Sequence, residues 1–205
     1  MSGKLYVISG PSGVGKSTIV HRLISNVKDL NYSISYSSRS PREKEVDGVN
    51  YHFVDRETFE KMIQEKVFVE WAEVYDALYG TSLDVLQSQR SQGLDVVLDM
   101  DSQGAVNMRK HYEESTLIYI LPPSLEILDK RLRGRGTDAE EVIRARFEKA
   151  IKEIKQCVDY DYIVFNENID RAVEELRYII LSDRARKSRR LPTVEKIFNI
   201  PLSPK

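Results

Sequence analysis

Cysteine is almost missing from this sequence. The single Cys157 allows no internal disulfide and no cysteine-built zinc cage. Long apolar runs are missing too. The longest, Leu117 to Leu121, is far short of the roughly 20 residues that a membrane-spanning helix needs. Met1-Ser2-Gly3-Lys4 runs straight into a strand-like segment, with no apolar signal-peptide region. There is no internal repeat and no low-complexity linker. Neither charge dominates, with 31 Lys and Arg against 32 Asp and Glu. A disulfide-stapled secreted domain, a helical membrane protein and a generic basic nucleic-acid binder are therefore disfavoured. The expected location is cytoplasmic, with no membrane and no nucleic-acid partner. Monomer and homo-oligomer stay open. One asymmetry exists: residues 183–205 are rich in Lys and Arg. Their expected state is a solvated or partly ordered basic tail.

What is present is a chain of 205 residues, 41% hydrophobic and 31% charged. That is enough to bury a core unaided, as one domain with small inserted lobes. Leu5-Tyr6-Val7-Ile8 is a short apolar run stopped by Ser9-Gly10, the mark of a buried strand. Ile19, Val20, Leu23, Ile24 and Val27 then form a helical stripe. Residues 32–38 alternate as a strand does, residues 51–54 are another candidate, and 67–75 is strand-like despite Glu70 and Glu73. Asp55 can cap a helix to about Gln64, and Thr81 or Ser82 can start one that ends before Gly93. Val96-Val97-Leu98 and residues 117–121 read as buried strands, with a helix over 102–111 between them. Helices are expected over 125–132 and 169–181, with a strand over 162–165. Thr137-Asp138-Ala139-Glu140 is a capping box, followed by Ile143, Phe147, Ala150, Ile151 and Ile154 on one helical face. Apolar strands separated by amphipathic helices imply an α/β fold, a parallel sheet covered on both faces. Residues 33–92 are more polar and strand-rich, as an inserted lobe would be.

Gly10-Pro11-Ser12-Gly13-Val14-Gly15-Lys16-Ser17 is the G-x-x-x-x-G-K-S phosphate-binding loop, between a buried strand and an amphipathic helix as that motif requires. Glycines let backbone wrap closely around phosphates. The N–H groups at the helix start point at the anion. Lys16 places a charge on the β and γ phosphates, and the Ser17 hydroxyl can ligate Mg²⁺. Gly10 to Thr18 are thus the expected ATP-binding residues. Asp99, ending an apolar strand, has the form of a carboxylate near the metal. The acceptor is a separate question. Ser35, Arg39, Arg42, Tyr51 and Tyr79 are donors suited to a second anionic group, and Arg forks bind phosphate bidentately. Glu70 and Asp101 offer acceptors for the N1–H and 2-amino edge of guanine. Arg131, Arg133 and Arg135 lie among Gly134 and Gly136, a pattern that suits a segment which moves and brings charge inward.

Ser33-Ile34-Ser35-Tyr36-Ser37-Ser38-Arg39-Ser40-Pro41-Arg42, Gly48-Val49-Asn50-Tyr51, Glu70-Trp71-Ala72-Glu73, Tyr79-Gly80-Thr81, Asp99-Met100-Asp101-Ser102-Gln103-Gly104 and Gly134-Arg135-Gly136-Thr137 occur in this order. From about Lys4 to about Leu181 the chain resembles the guanylate kinase family of P-loop nucleoside monophosphate kinases. The resemblance implies a P-loop NTPase fold with a strand-rich monophosphate lobe and a helical lid. It implies transfer of the ATP γ-phosphoryl group to GMP, with Mg²⁺, in purine nucleotide metabolism. The core would be residues 4–32, 93–122 and 159–182, the GMP-binding lobe 33–92, and the lid with its helix 123–158, before the basic tail. Arg39 and Arg42 would hold the monophosphate, helped by Tyr51 and Tyr79. Ser35, Glu70, Thr81 and Asp101 would read guanine, and Ser17 and Asp99 would serve the metal. Lys16, Arg42, Arg131, Arg135 and Arg146 would act on the transferring group, and Asn166 would lie in the adenine-side loop. Two departures stand out. The usual Thr-Thr is Ser37-Ser38, and the usual Asn-Asp is Asn166-Glu167. Two other readings stay open: a non-catalytic guanylate-kinase-like module that binds phosphorylated protein segments, and a P-loop kinase for another small phosphate such as a ribose bisphosphate. An intact Gly15-Lys16-Ser17 weighs against the first, and Glu70 with Asp101 against the second.

Overall fold

The computed structural model describes residues 2–43, 45–74, 76–134 and 140–202. Five strands build a parallel sheet: β1 (Leu5–Ser9), β2 (Leu30–Tyr32), β7 (Asp95–Asp99), β8 (Thr116–Leu121) and β9 (Tyr162–Phe165), in the order β2-β7-β1-β8-β9. Four strands form a second, smaller sheet: β3 (Tyr36–Ser37), β4 (His52–Phe53), β5 (Phe68–Val74) and β6 (Ala77–Ser82), in the order β4-β3-β6-β5. The helices are α1 (Lys16–Asn26), α2 (Arg56–Gln64), α3 (Leu83–Ser91), α4 (Ser102–His111), α5 (Leu125–Arg133), α6 (Glu140–Ile154), α7 (Ile169–Arg184) and α8 (Lys187–Phe198), with a 3-10 helix over Lys155–Asp159.

The inner strands β7, β1 and β8 are buried on both faces, which is why they read as apolar runs rather than alternations. On one face Tyr6, Ile8, Val97, Ile118, Ile120 and Val164 pack against the stripes of α1 and α7, among them Ile19, Leu23, Leu176 and Ile180. On the other, Leu5, Val7, Val96, Leu98 and Leu117 meet Leu86 of α3 and Ala105 and Met108 of α4. A third cluster, Leu128 and Leu132 with Ile143 and Ala150, joins α5 to α6. The caps form as their residue types dictate. Asp55 accepts from the Thr58 N–H at 2.7 Å, Ser82 starts α3, and Asn168 accepts from the N–H groups of Asp170 and Arg171. No helix among the described residues is long and apolar enough to cross a membrane.

Three expectations need correction. The alternating run 32–38 is not one strand. It ends β2 at Tyr32 and starts β3 at Tyr36, in different sheets, because the chain leaves the core for the lobe between them. Strand β6 was not anticipated. It is the hairpin partner of β5 and pairs with β3 on its other edge.

The third concerns the chain end, expected as a solvated or partly ordered tail, which is ordered as a helix that stays largely exposed. Arg184 ends α7 and residues 187–198 form α8, and their arginines close on two buried carboxylates. Arg189 Nη2 donates to Asp95 Oδ1 at 2.7 Å and Arg184 Nε to Asp95 Oδ2 at 2.8 Å. Asp183 is held by Lys4 Nζ at 2.9 Å, Tyr6 OH at 3.0 Å and Arg189 Nη1 at 3.2 Å. Three of the basic residues, Arg184, Arg186 and Arg189, neutralise Asp95 and Asp183, which composition alone cannot distinguish from a solvated run. The capping box at Thr137 lies outside the described residues.

Candidate active site

The loop between β1 and α1 takes a shape that few residues permit. Gly13 and Gly15 have φ of +87° and +95°, left-handed values that side chains rarely adopt. A Cβ on Gly15 would also stand 2.9 Å from Asn166 Nδ2. Lys16 Nζ donates to the Gly10 carbonyl at 3.1 Å and lies 3.8 Å from Asp99 Oδ1. Ser17 Oγ donates to Asp99 Oδ2 at 3.4 Å. Burial pushes the Asp99 carboxyl above its ordinary value, while Lys16 and the Ser17 hydrogen bond pull it back. Asp99 reaches the loop because β7 lies beside β1 in parallel register, Asp99 opposite Ile8.

This loop and the small sheet face one cavity of about 350 Å³. Ser12 to Thr18, Asp99 and Arg146 line the loop side. Ser35, Arg39, Arg42, Tyr51, Glu70 and Tyr79 line the lobe side, with Asp101 and Gly104 from α4. The basic corner is built before any ligand arrives. Arg39 donates through Nε to the Tyr79 hydroxyl at 3.1 Å, and its guanidinium stands 5.3 Å from the Tyr51 ring centre. Glu45 takes the guanidinium fork at 2.6 and 2.7 Å and also accepts the Arg42 N–H at 2.9 Å. The Arg39 hydrogen bond holds the Glu45 carboxyl below its usual range. Arg39 therefore enters the cavity as a fixed charge with few spare N–H groups, and Arg42 is the exposed donor.

The acidic corner is tuned differently. Glu70 is 8% exposed and accepts from Thr81 Oγ1 at 2.8 Å. Burial raises its pKa to about 7, against the lowering by Thr81, and the nearby Asp101 raises it further. Asp101 caps α4, one carboxylate oxygen accepting the Gly104 N–H at 2.8 Å. Gly104 has a second role: a Cβ there would press to 3.1 Å from Glu70 Oε2.

Several expected residues stand behind the cavity rather than in its wall. Thr81 is fully buried and reaches the cavity only through Glu70. Asn166 is 2% exposed, its amide donating to the Val14 carbonyl at 2.7 Å, so its side chain braces the loop from below. Arg131 lies there too, donating to the Val14 carbonyl at 3.4 Å and the Asn166 carbonyl at 2.9 Å. Gly10 is packed on β8. Arg135 lies outside the described residues. Reading by residue type missed Gly104, Met100, Ala72 and Val74 in the wall. It also missed Glu45 and Glu153, which act on arginine and loop rather than on open space. Position between Arg42 and Gly48 was the only signal for Glu45.

The donors at the loop suit a hard cation. A hydroxyl and a carboxylate converge at Ser17 and Asp99, and no cluster of three His, Cys, Asp or Glu occurs among the described residues. Magnesium sites with one or two protein oxygens, completed by phosphates and water, have this character.

A family model described as guanylate kinase matches residues 2–183. A guanylate kinase of Syntrophotalea carbinolica is 45% identical over 201 residues, covering 98% of this chain and 96% of that protein. One from Caldanaerobacter subterraneus subsp. tengcongensis is 48% identical over 187 residues, covering 91% of each. The crystal structure of guanylate kinase from Anaplasma phagocytophilum superposes with a TM-score of 0.80 at 29% identity, covering 98% of this chain and 97% of that one.

Proposed function

This chain belongs to the guanylate kinase family, and from that premise we propose how its own residues divide the work. It is an enzyme that phosphorylates GMP to GDP with ATP, which becomes ADP, and the reaction uses a divalent metal. The observation that supports our residue assignment is the single cavity, with a phosphate cradle on one wall and an arginine corner and two carboxylates on the other.

The acceptor needs no general base. A phosphate monoester has a second pKa of about 6, so its oxygen is ionised at neutral pH. The task is positioning and charge. Arg42, with Arg39, Tyr51 and Tyr79, holds the monophosphate. Arg39 supplies charge, because Glu45 occupies most of its fork. Glu70, set by Thr81, accepts from the guanine edge, with Asp101 and Ser35 beside it. The loop N–H groups and Lys16 hold the donor phosphates; Lys16 gives one of its three N–H groups to the Gly10 carbonyl and keeps others for the phosphates. Ser17 and Asp99 would hold Mg²⁺, which supplies charge neutralisation at the phosphates when bound. Arg146, on the loop side of the cavity, faces the transferring group, and Arg131 and Arg135 join it as the 123–158 lid closes and excludes water. Residues 33–92, with the four-stranded sheet, form the GMP lobe, and residues 4–32, 93–122 and 159–182, with the five-stranded sheet, the core. The role fits purine nucleotide metabolism. A cytoplasmic location fits a chain whose only cysteine allows no internal disulfide.

The test is direct. Purified protein is incubated with ATP, Mg²⁺ and each nucleoside monophosphate separately, and products are separated by chromatography. GDP from GMP, with little product from AMP, CMP or UMP, is expected. Equal turnover of all four would remove the guanine-reading role of Glu70 and Asp101.

A further inference from the structure

The phosphate cradle of this protein already carries an anion of its own. The Ser12 N–H donates to Glu153 Oε2 at 3.3 Å, so a carboxylate from the last turn of α6 stands at the loop that binds phosphates. The arrangement is anchored. Tyr119 OH, on the strand beside β1, donates to the Glu153 carbonyl at 2.6 Å and ties that turn to the core sheet. Lys149 Nζ lies 3.8 Å from the other carboxylate oxygen, Oε1. Two turns earlier on the same face of α6, Arg146 Nη2 donates to Ser12 Oγ at 3.3 Å. One loop residue is thus held at both its N–H and its hydroxyl by the lid helix.

We propose that Glu153 is a positioning residue at the Ser12 end of the phosphate loop, which Arg146 on the same residue marks as the terminal-phosphate end, and that its carboxylate opposes the phosphate that enters there. The proposal rests on the reading that residues 10–17 hold the phosphates of ATP. A carboxylate and a phosphate at one N–H are like charges in competition. Glu153 is only 23% exposed, so water screens that repulsion incompletely. While the site is empty, the Ser12 N–H stays satisfied and the loop keeps its shape. When ATP binds, its terminal phosphate displaces the Glu153 carboxylate from Ser12, while the Tyr119 hydrogen bond keeps the turn that carries it in place. ADP lacks that phosphate and meets less opposition. Glu153 therefore narrows the gap in affinity between substrate ATP and product ADP.

Glu153→Gln keeps the shape and an acceptor oxygen while removing the charge. Binding of ATP, ADP and GMP is measured by calorimetry on wild type and variant, at low and high salt. ATP is expected to tighten by roughly tenfold in the variant, ADP by less, and GMP not at all. The gain for ATP shrinks at high salt, where screening has already weakened the repulsion. A purely structural role would not give a salt-dependent gain confined to ATP. If ATP binds no tighter, or all three ligands shift alike, the proposal fails. Should that variant fold poorly, Glu153→Asp draws the charge back by one methylene and is expected to give a smaller tightening for ATP; unchanged or weaker ATP binding there also overturns it. Wild-type protein that binds no ATP and forms no GDP would instead refute the functional reading.

Discussion

Glu70 stands on β5 in the lobe wall of the cavity, its side chain accepting a hydrogen bond from the Thr81 hydroxyl. Burial raises its pKa to about 7, well above the ordinary carboxylate range. In the unfolded chain it ionises near its ordinary value, so between those two pH values the folded state holds a proton that the unfolded state has lost. Stability therefore falls as pH rises across that window and stays lower above it. The shift corresponds to about 3 kcal/mol. Glu70→Gln is expected to raise stability by up to that amount at pH 8 and to change it little at pH 4, as read by urea denaturation. Function runs the other way. The ionised carboxylate is the better acceptor for guanine, so KM for GMP in the wild type falls as pH rises through 7. Glu70→Gln should raise KM for GMP, leave KM for ATP nearly unchanged, and lose the inflection near pH 7, keeping only the phosphate-linked change near pH 6. A KM profile for GMP that still bends at 7 in the variant would assign that titration elsewhere.

At the scale of elements, the site depends on strand-to-loop packing. Gly10 follows the last residue of β1 and has φ of +155°; a Cβ there would stand 2.4 Å from the Ile120 carbonyl oxygen of β8. That oxygen belongs to a strand buried in the sheet and cannot move aside as a side-chain end can. Gly10→Ala is expected to cost at least about 2 kcal/mol and to lose most ATP binding, because the loop must leave β8 and its phosphate-binding shape together. Thermal unfolding with ATP titration checks both. Helices α1 to α7 were readable in advance from apolar residues at helical spacing, with Asp55 and Ser82 as caps for α2 and α3, whereas α8 was not. The short lobe strands were less readable. Strand β6 takes its meaning from β5, and β3 has only two residues, too few to show a period.

Across the whole molecule, the chain ends meet. Lys4 and Tyr6 of the first segment, Asp95 at the start of β7, and Arg184 and Arg189 near the C-terminus form one ion-pair cluster at the sheet end opposite the phosphate loop. Asp95 and Asp183 side chains are 2% and 1% exposed, so each depends on its cations. Burial pushes the Asp183 carboxyl up, but Lys4, Tyr6 and Arg189 hold it below its ordinary value. Removing a partner from a buried pair costs about 3–5 kcal/mol. Arg189 is a quarter exposed, and Arg184 and Lys4 would remain, so Arg189→Ala is expected to cost about 2 kcal/mol. Urea denaturation measures that loss. The turnover number at a temperature where the variant stays folded should match wild type, since the cluster touches no part of the cavity.

The sequence by itself determined the glycine-rich loop, the parallel core, the starts of α1 to α7 and most of the arginine and carboxylate side chains that meet at the cavity. These are local signals, carried by residue type and spacing within a few turns of chain. Only the tertiary structure decided which polar residues face the cavity and which serve other residues. Glu45 holds Arg39, Thr81 holds Glu70, Asn166 and Arg131 brace Val14, and Glu153 sits on Ser12. It also turned a basic chain end into a helix that neutralises two buried acids. Each of these is a pairing between groups brought together by the fold, and the strength of a charge or hydrogen bond depends on burial and partner, which spacing along the chain does not encode.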